Sequence, residues 1–214
     1  MVGEMTQRGI VTIAQGDPAR QQAIAAINAL RRAGSKMPVA VIGDRPIDIA
    51  SVHIHMDDDV VSDPGARKAK VNLDLLSPFE HTLYMDADTR VVTDEIGIGF
   101  DMLADGWQLV ITPNAHQNDE ILWHVGEAER LDTFAMFGTP EILALSGGVF
   151  WFAKCAEVTA LFAAWREEWG LYHEQDQAAL LRAMRQSPVK TWLLGRAFNG
   201  GGSPIKHLYG WARR

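Results

Sequence analysis

Two carboxylates stand one residue apart at the end of a short apolar run. In the stretch LYMDADTRVV the chain passes from Leu83, Tyr84 and Met85 directly to Asp86, Ala87 and Asp88. A strand ending this way delivers hard oxygen ligands to the rim of an open α/β sheet, where ligands bind beyond the carboxyl ends of strands. Such oxygens suit Mg2+ or Mn2+, and an ion of that kind bridges phosphate oxygens. The tripeptide alone equally fits an acidic turn after a strand. Arg67, Lys68 and Lys70 precede it on a predicted helix, Lys70 sixteen positions before Asp86. A helix and its return loop could bring one of these cations back toward the acidic turn, to pair with Asp86 or with a bound phosphate. As solvated helix charges they would need neither.

The elements that must position these residues alternate along the chain. Ile10 to Ala14 reads as a buried strand, ended by Gly16-Asp17-Pro18, a turn and helix start. Ile24, Ile27 and Leu30 mark one face of the helix that follows, and Gly34 closes it. Val39 to Ile42 and Ser51 to Met56 read as strands. Asp63-Pro64-Gly65 opens a helix predicted to run towards Leu76, where Ser77-Pro78 stops it. Thr82 to Met85, Leu109 to Thr112 and Ile142 to Phe152 are further strands, and Gly97 to Ala104 a short helix. Val158, Leu161, Phe162, Trp165 and Trp169 keep helical spacing, and Asp176 to Met184 forms a second helix. Residues 114–140 have no clear period and read as an insertion outside the core. The tail from Val189 holds two short strand-like pieces separated by Gly200-Gly201-Gly202. This alternation predicts an α/β fold with a mostly parallel central sheet flanked by helices. With no repeat or linker, residues 1–214 read as one domain.

The bulk composition narrows the function. The 214 residues carry 20 basic and 27 acidic side chains, a formal net charge of −7. That argues against a nucleic-acid partner, which needs clustered cations, but a few local donors suffice for one diphosphate. The single cysteine, Cys155, permits no intrachain disulfide. No apolar run is long enough for a transmembrane segment, and the opening MVGEMTQRGIVTIA does not read as a signal peptide. A soluble cytoplasmic protein is the expectation, and peripheral membrane association is compatible with it. The oligomeric state is open.

The stretch from Lys70 to Val92, KVNLDLLSPFEHTLYMDADTRVV, resembles the glycogenin-like retaining glycosyltransferases, glycosyltransferase family 8 and its relatives, which have the GT-A fold. Three later segments occur in that family's order. LSGGVFWF resembles its Asn-Ser-Gly strand beside the donor sugar, with Ser146 where Asn is usual and Gly147 where Ser is usual, followed by Gly148. HEQDQAALL resembles its Asp-Gln helix start, matched by Asp176 and Gln177; Asp176 also suits a helix N-cap. FNGGGSPIKHLYG resembles its Asn strand followed by His-x-x-Gly, matched by Asn199, His207 and Gly210.

The resemblance implies a site. Asp86, Asp88 and His207 would hold the metal, Mn2+ or Mg2+, and Asp86 would also reach the nucleotide ribose. Lys70, with Arg67 as competitor, matches the family's cation. Ala87, Ser146, Gly147, Gly148 and Asn199 would lie along the donor, and Asp176 and Gln177 near its anomeric carbon. Gly210 would admit the diphosphate, with Lys206 as a nearby cation. Thr12 and Ala14, in the strand and turn from Thr12 to Asp17, would line uracil or another base, and Asp44 could also face the nucleotide. The family often follows its Gly with Lys-Pro-Trp; here Trp211-Ala212-Arg213-Arg214 stands instead, with Arg213 as a substitute cation. The implied activity is hexosyltransferase-like. A sugar passes from a nucleotide-diphosphate sugar, a UDP-sugar by analogy, to a glycan, lipid or protein acceptor, with retention of configuration.

Two other readings compete. A nucleotidyltransferase of similar fold would show a Gly-rich basic loop after the first strand, where this chain has Gln15-Gly16-Asp17-Pro18. A non-catalytic sugar-nucleotide-binding module would tolerate the changes at Ser146 and Gly147. Asp57 and Asp59 also form Asp-x-Asp, but after a poorer strand, and Asp57-Asp58-Asp59 reads as a solvated loop. His53 and His55 share a strand face with no third ligand evident, and Trp123 with His124 is a conceivable acceptor contact that no motif supports.

Overall fold

The computed structural model describes residues 6–56, 63–114 and 122–209; Asp57-Asp58-Asp59, Gly210 and Arg213 lie outside them. The chain begins with β1 (Thr6–Ala14), α1 (Gly16–Arg32), β2 (Val39–Gly43) and β3 (Val52–His55). It continues with α2 (Asp63–Lys70), α3 (Leu73–Leu76), β4 (Phe79–Met85), β5 (Thr89–Val91), α4 (Gly97–Ala104) and β6 (Leu109–Pro113). It ends with α5 (Glu127–Phe137), β7 (Leu145–Ala153), α6 (Ala156–Gly170), α7 (Asp176–Gln186), β8 (Thr191–Leu193) and β9 (Ile205–His207).

Seven strands form the central sheet in the order β3-β2-β1-β4-β7-β6-β8, and β5 pairs with β9 in a second, two-stranded sheet. Within the large sheet only β7 runs against its neighbours, β4 and β6. The expected α/β architecture with a mostly parallel sheet is therefore the one observed. β1 is buried on both faces, as a central strand between two helical layers must be. Val11 and Ile13 face the layer built around Phe150, Phe162 and Trp165. Ile10 and Ala14 face the layer of Ile27, Leu30 and Phe100. α4 approaches the sheet closely because Gly99 has no side chain; a Cβ there would fall inside the Trp151 indole. No helix among the described residues is long and apolar enough to cross a membrane.

Two sequence expectations need correction. The helix predicted towards Leu76 is two helices, because Asn72 interrupts it and its side-chain amide donates to the Lys68 carbonyl at 2.7 Å. A short amide that captures a backbone acceptor competes with helix continuation. Residues 114–140 are also not all outside the core. Leu122 and Val125 are buried in it, and α5 presents Glu129 and Thr133 to the interior.

That polar face is matched by Arg182 on α7. Arg182, 2% exposed, donates to Glu168 Oε2 at 2.5 Å, Thr133 Oγ1 at 2.7 Å and Glu129 Oε1 at 2.9 Å. Burial outweighs Arg182 at Glu129 and lifts its carboxyl above the ordinary value. Removing the cation strands two buried carboxylates, so Arg182→Met is expected to lower unfolding free energy by about 3–5 kcal/mol. Urea denaturation measures this; a midpoint unchanged from the parent would show that the network carries no stability.

Candidate metal and donor site

The site is assembled where β4 ends. Strand alternation puts Tyr84 and Asp86 on one side, and the Tyr84 hydroxyl donates to Asp86 Oδ1 at 2.6 Å. The turn after β4 is held by the Thr89 N–H and hydroxyl, which both donate to the Asp86 carbonyl, at 3.0 and 2.7 Å. β5 then leaves the turn and pairs antiparallel with β9, placing Thr89 opposite His207. This pairing carries an imidazole from the far end of the sequence to the acidic turn. His207 Nε2 lies 3.1 Å from Asp88 Oδ1 and 3.8 Å from Asp86 Oδ2. The Leu208 N–H donates to the Asp88 carbonyl at 3.1 Å and locks the two segments together.

Asp86, Asp88 and His207 each offer one ligand atom, all within 4.8 Å of one another. Two carboxylates and one imidazole fit Mg2+ or, with its greater tolerance of nitrogen, Mn2+. The floor is kept open by Gly148, where a Cβ would stand 2.5 Å from His207 Cε1 and 2.8 Å from Asp86 Oδ2. The donor set and this cradle both fit such an ion.

Lys70 stands on the other side of Asp86. Its ammonium is 3.1 Å from Asp86 Oδ1 and 3.0 Å from Asp176 Oδ2, and 5.2 Å from the centre of the Tyr84 ring. Asp86 thus has one oxygen engaged by Lys70 and Tyr84, and the other turned to His207. Burial works to lower the Lys70 pKa, but the carboxylates of Asp176 and Asp86 outweigh it and hold the ammonium above its ordinary value. Burial likewise works to raise Asp176, and Lys70 followed by Arg67 brings it below the ordinary carboxylate value. Burial, then Asp86, pushes the Tyr84 phenol well up.

These groups line a cleft of about 750 Å³. Of the residues expected from sequence, Arg67, Lys70, Asp86, Ala87, Asp88, Ser146, Gly147, Gly148, Asp176, Gln177 and His207 all line it. Gly147 brings its strand against α7, since a Cβ there would stand 2.6 Å from Asp176 Oδ2. Gln177 accepts from the Asn114 amide at 3.1 Å, and Arg67 donates to Gln175 at 3.2 Å.

Five expected contact residues stand outside the cleft lining. Thr12 and Ala14 do not line the cleft; Ile13 and Gln15 do, because successive β1 residues face opposite sides. The Asp44 carboxylate accepts from the Gly16 N–H at 3.0 Å at the start of α1 and from Arg45 at 3.2 Å. Burial raises its pKa, and these contacts together bring it below the ordinary value. Lys206 is exposed on β9, whose alternation turns Ile205 and His207 inward and Lys206 outward. Asn199 is fully buried and does not line the cleft; its side chain meets His207 and Ser146. His53 is bonded to the Gly43 carbonyl at 3.1 Å on the edge of the sheet. Tyr84, Tyr209 and His124 line the cleft without having been singled out as donor contacts from sequence. For Tyr84 a signal existed, since it sits two residues before Asp86 on a strand.

No family model matches the sequence, and no curated protein matches it. Solved structures do. Mouse xyloside xylosyltransferase 1, in its apo form, is 12% identical over 95% of this chain and 98% of that one, with a TM-score of 0.61. The apo WbbM bifunctional glycosyltransferase is 12% identical over 97% of this chain, TM-score 0.65. The glycosyltransferase GlyE of Streptococcus pneumoniae TIGR4 is 15% identical over 91%, TM-score 0.57. The chain spans 46% of the length of each of these last two. At such identities the likeness is one of fold, and the chain has the glycosyltransferase GT-A fold.

Proposed function

We propose that this chain is a metal-dependent glycosyltransferase that takes a sugar from a nucleotide-diphosphate donor, a UDP-sugar, and passes it with retention to a glycan, lipid or protein acceptor. The observation that carries the reading is the convergence of Asp86, Asp88 and His207 beside the Lys70–Asp176 pair, inside one cleft of a GT-A fold. Donor and retention rest on the motif resemblance. Asp86, Asp88 and His207 would hold a divalent ion, which would supply Lewis-acid neutralisation of the leaving diphosphate. Lys70 adds a fixed positive charge behind Asp86, set before reaction and so requiring no reorganisation. Asp176 is held ionised by Lys70 and Arg67, which suits a carboxylate supporting an oxocarbenium-like sugar and not a proton donor. Gln177, one residue on at the start of α7, lines the same cleft, and by the resemblance it would stand with Asp176 near the anomeric carbon.

Thermal unfolding with a panel of nucleotide sugars, with and without Mn2+, tests this. A donor at a hundred times its Kd is expected to raise Tm by roughly 5–10 °C, and only with Mn2+ present. Release of nucleoside diphosphate from that donor should follow. Pyrophosphate formed from a nucleoside triphosphate and a sugar phosphate would instead identify a nucleotidyltransferase. A flat response across the panel would remove the donor site from this cleft.

A further inference from the structure

Asn199 lies behind His207, away from the cleft, and three of its contacts converge on the imidazole. It is completely buried, at the end of the single turn Arg196–Asn199 that precedes β9. Its side-chain carbonyl Oδ1 faces His207 Nδ1 at 2.6 Å. Its amide Nδ2 donates to Ser146 Oγ, which also accepts from the Gly148 N–H at 3.3 Å. Its main-chain carbonyl accepts from the Tyr209 hydroxyl at 2.5 Å. The Tyr209 ring in turn stacks on the His207 ring, with centroids 4.1 Å apart and planes inclined by 17°.

A carbonyl oxygen only accepts, so the imidazole nitrogen facing it must carry the proton. In a neutral ring the other nitrogen, Nε2, then has a bare lone pair. Nε2 is the atom that faces Asp88 and Asp86. Three electron-rich atoms turned toward one another repel unless a cation lies among them. With the Asn199 amide turned over, Nδ2 would face Nδ1, and the ring proton would move to Nε2, into the space a cation must enter. In the observed orientation Ser146 takes the amide hydrogen. Tyr209 holds the ring plane, and Gly148 leaves the ring no side chain to meet from below.

We infer that Asn199 is a positioning residue: its amide holds His207 in the Nδ1–H tautomer, and its main chain clamps the ring through Tyr209, so that Nε2 is set as a ligand before the ion arrives. Ser146 pairs with the other end of the amide. This rests on the reading of Asp86, Asp88 and His207 as a metal centre. It reassigns Asn199 from contact with the donor to support of the ligand. Outer partners of this kind typically change metal affinity by about 10–100-fold.

The test uses the metal-free protein and Mn2+ alone. Histidine ring 15N NMR of metal-free protein, at a pH high enough for a neutral ring and with the His207 signals identified from their loss in His207→Gln, is expected to show Nδ1 protonated and Nε2 bare. Asn199→Leu keeps the volume but removes the acceptor. It should shift His207 toward Nε2–H and weaken Mn2+ binding, read by electron paramagnetic resonance titration, by about 10–100-fold. Asn199→Asp keeps an acceptor at the same place and should retain the parental tautomer and most of the affinity. An Nε2–H tautomer in the parent protein, or parental Mn2+ affinity in folded Asn199→Leu, would overturn the inference. Should Asn199→Leu fail to fold, the parental tautomer still decides it. If the parent binds no Mn2+, the metal-centre reading fails, and the tautomer measured without metal judges Asn199 separately.

Discussion

Asp88→Asn is expected to leave the protein folded and to lower metal-dependent donor turnover by roughly two to three orders of magnitude, the scale of losing one preorganised electrostatic contact to a developing charge. Asp88 is partly exposed at a turn, so no buried pair breaks when its charge goes. Its main-chain carbonyl still accepts from Leu208. The new amide can donate to His207 Nε2, so the imidazole keeps a neighbour. What disappears is one anionic oxygen from a three-ligand set, and with it affinity for the ion. Steady-state assays across a Mn2+ series, beside circular dichroism of the same preparation, separate chemistry from folding. An exposed substitution away from the cleft, Asp101→Asn, serves as control, since Asp101 does not line the cleft and its exposed carboxylate meets Arg8 at 3.1 Å. Parental turnover in Asp88→Asn would remove Asp88 from the metal centre, and with it the reason for reading the turn as functional.

The parts of this site that were legible in the sequence are those held by local chain geometry. Asp86 and Asp88 follow directly from an apolar strand, and a strand end points its next residues at the sheet rim. Lys70 was legible because one short helix and one return strand separate it from Asp86, and the observed 3.1 Å contact closes that path. His207 required the resemblance, since nothing local links it to residue 88; only the β5–β9 pairing brings it there. The misplacement of Thr12 and Ala14 has a different cause. A strand buried on both faces is apolar throughout, so the run Ile10 to Ala14 carries no alternation from which to learn which residues face the cleft. α5 was hidden for a related reason. Its inward positions include Glu129 and Thr133, matched to Arg182 some fifty positions later, and a polar buried face has no hydrophobic period to detect. Asn199 was recognised as part of a motif, but its partner could not be read from the motif, because a buried amide has no chemistry of its own until its neighbour is known.

Lys70→Met is expected to destabilise the fold by about 3–5 kcal/mol near neutral pH, because removing one partner of a buried ion pair leaves the other charge uncompensated. For a chain of this size that is roughly 6–20 °C in Tm. Two carboxylates lose their cation at once. Asp176 retains Arg67, whose Nε is 3.9 Å away, and Asp86 retains the Tyr84 hydroxyl. Asp176 is the more buried of the two and carries most of the effect. The pH dependence gives the sign. In the parent, Asp176 has a folded-state pKa below its ordinary value, so it contributes stability above about pH 4 that is lost as pH falls through the folded value. Lys70 has a folded-state pKa above its ordinary value, so its contribution is complete below about pH 10 and is lost as pH rises through the folded value. The pair therefore stabilises across the whole interval between. In Lys70→Met the largest influence lowering Asp176 is gone and burial raises it, so the variant carries a penalty that grows as pH rises above the ordinary carboxylate value. Its Tm deficit should be largest at pH 7–8 and shrink toward pH 4–5. The double variant Lys70→Met, Asp176→Leu removes the stranded charge, and it should be more stable than Lys70→Met alone. A deficit independent of pH, or a double variant less stable than the single one, would show that Lys70 acts through packing and not through its charge.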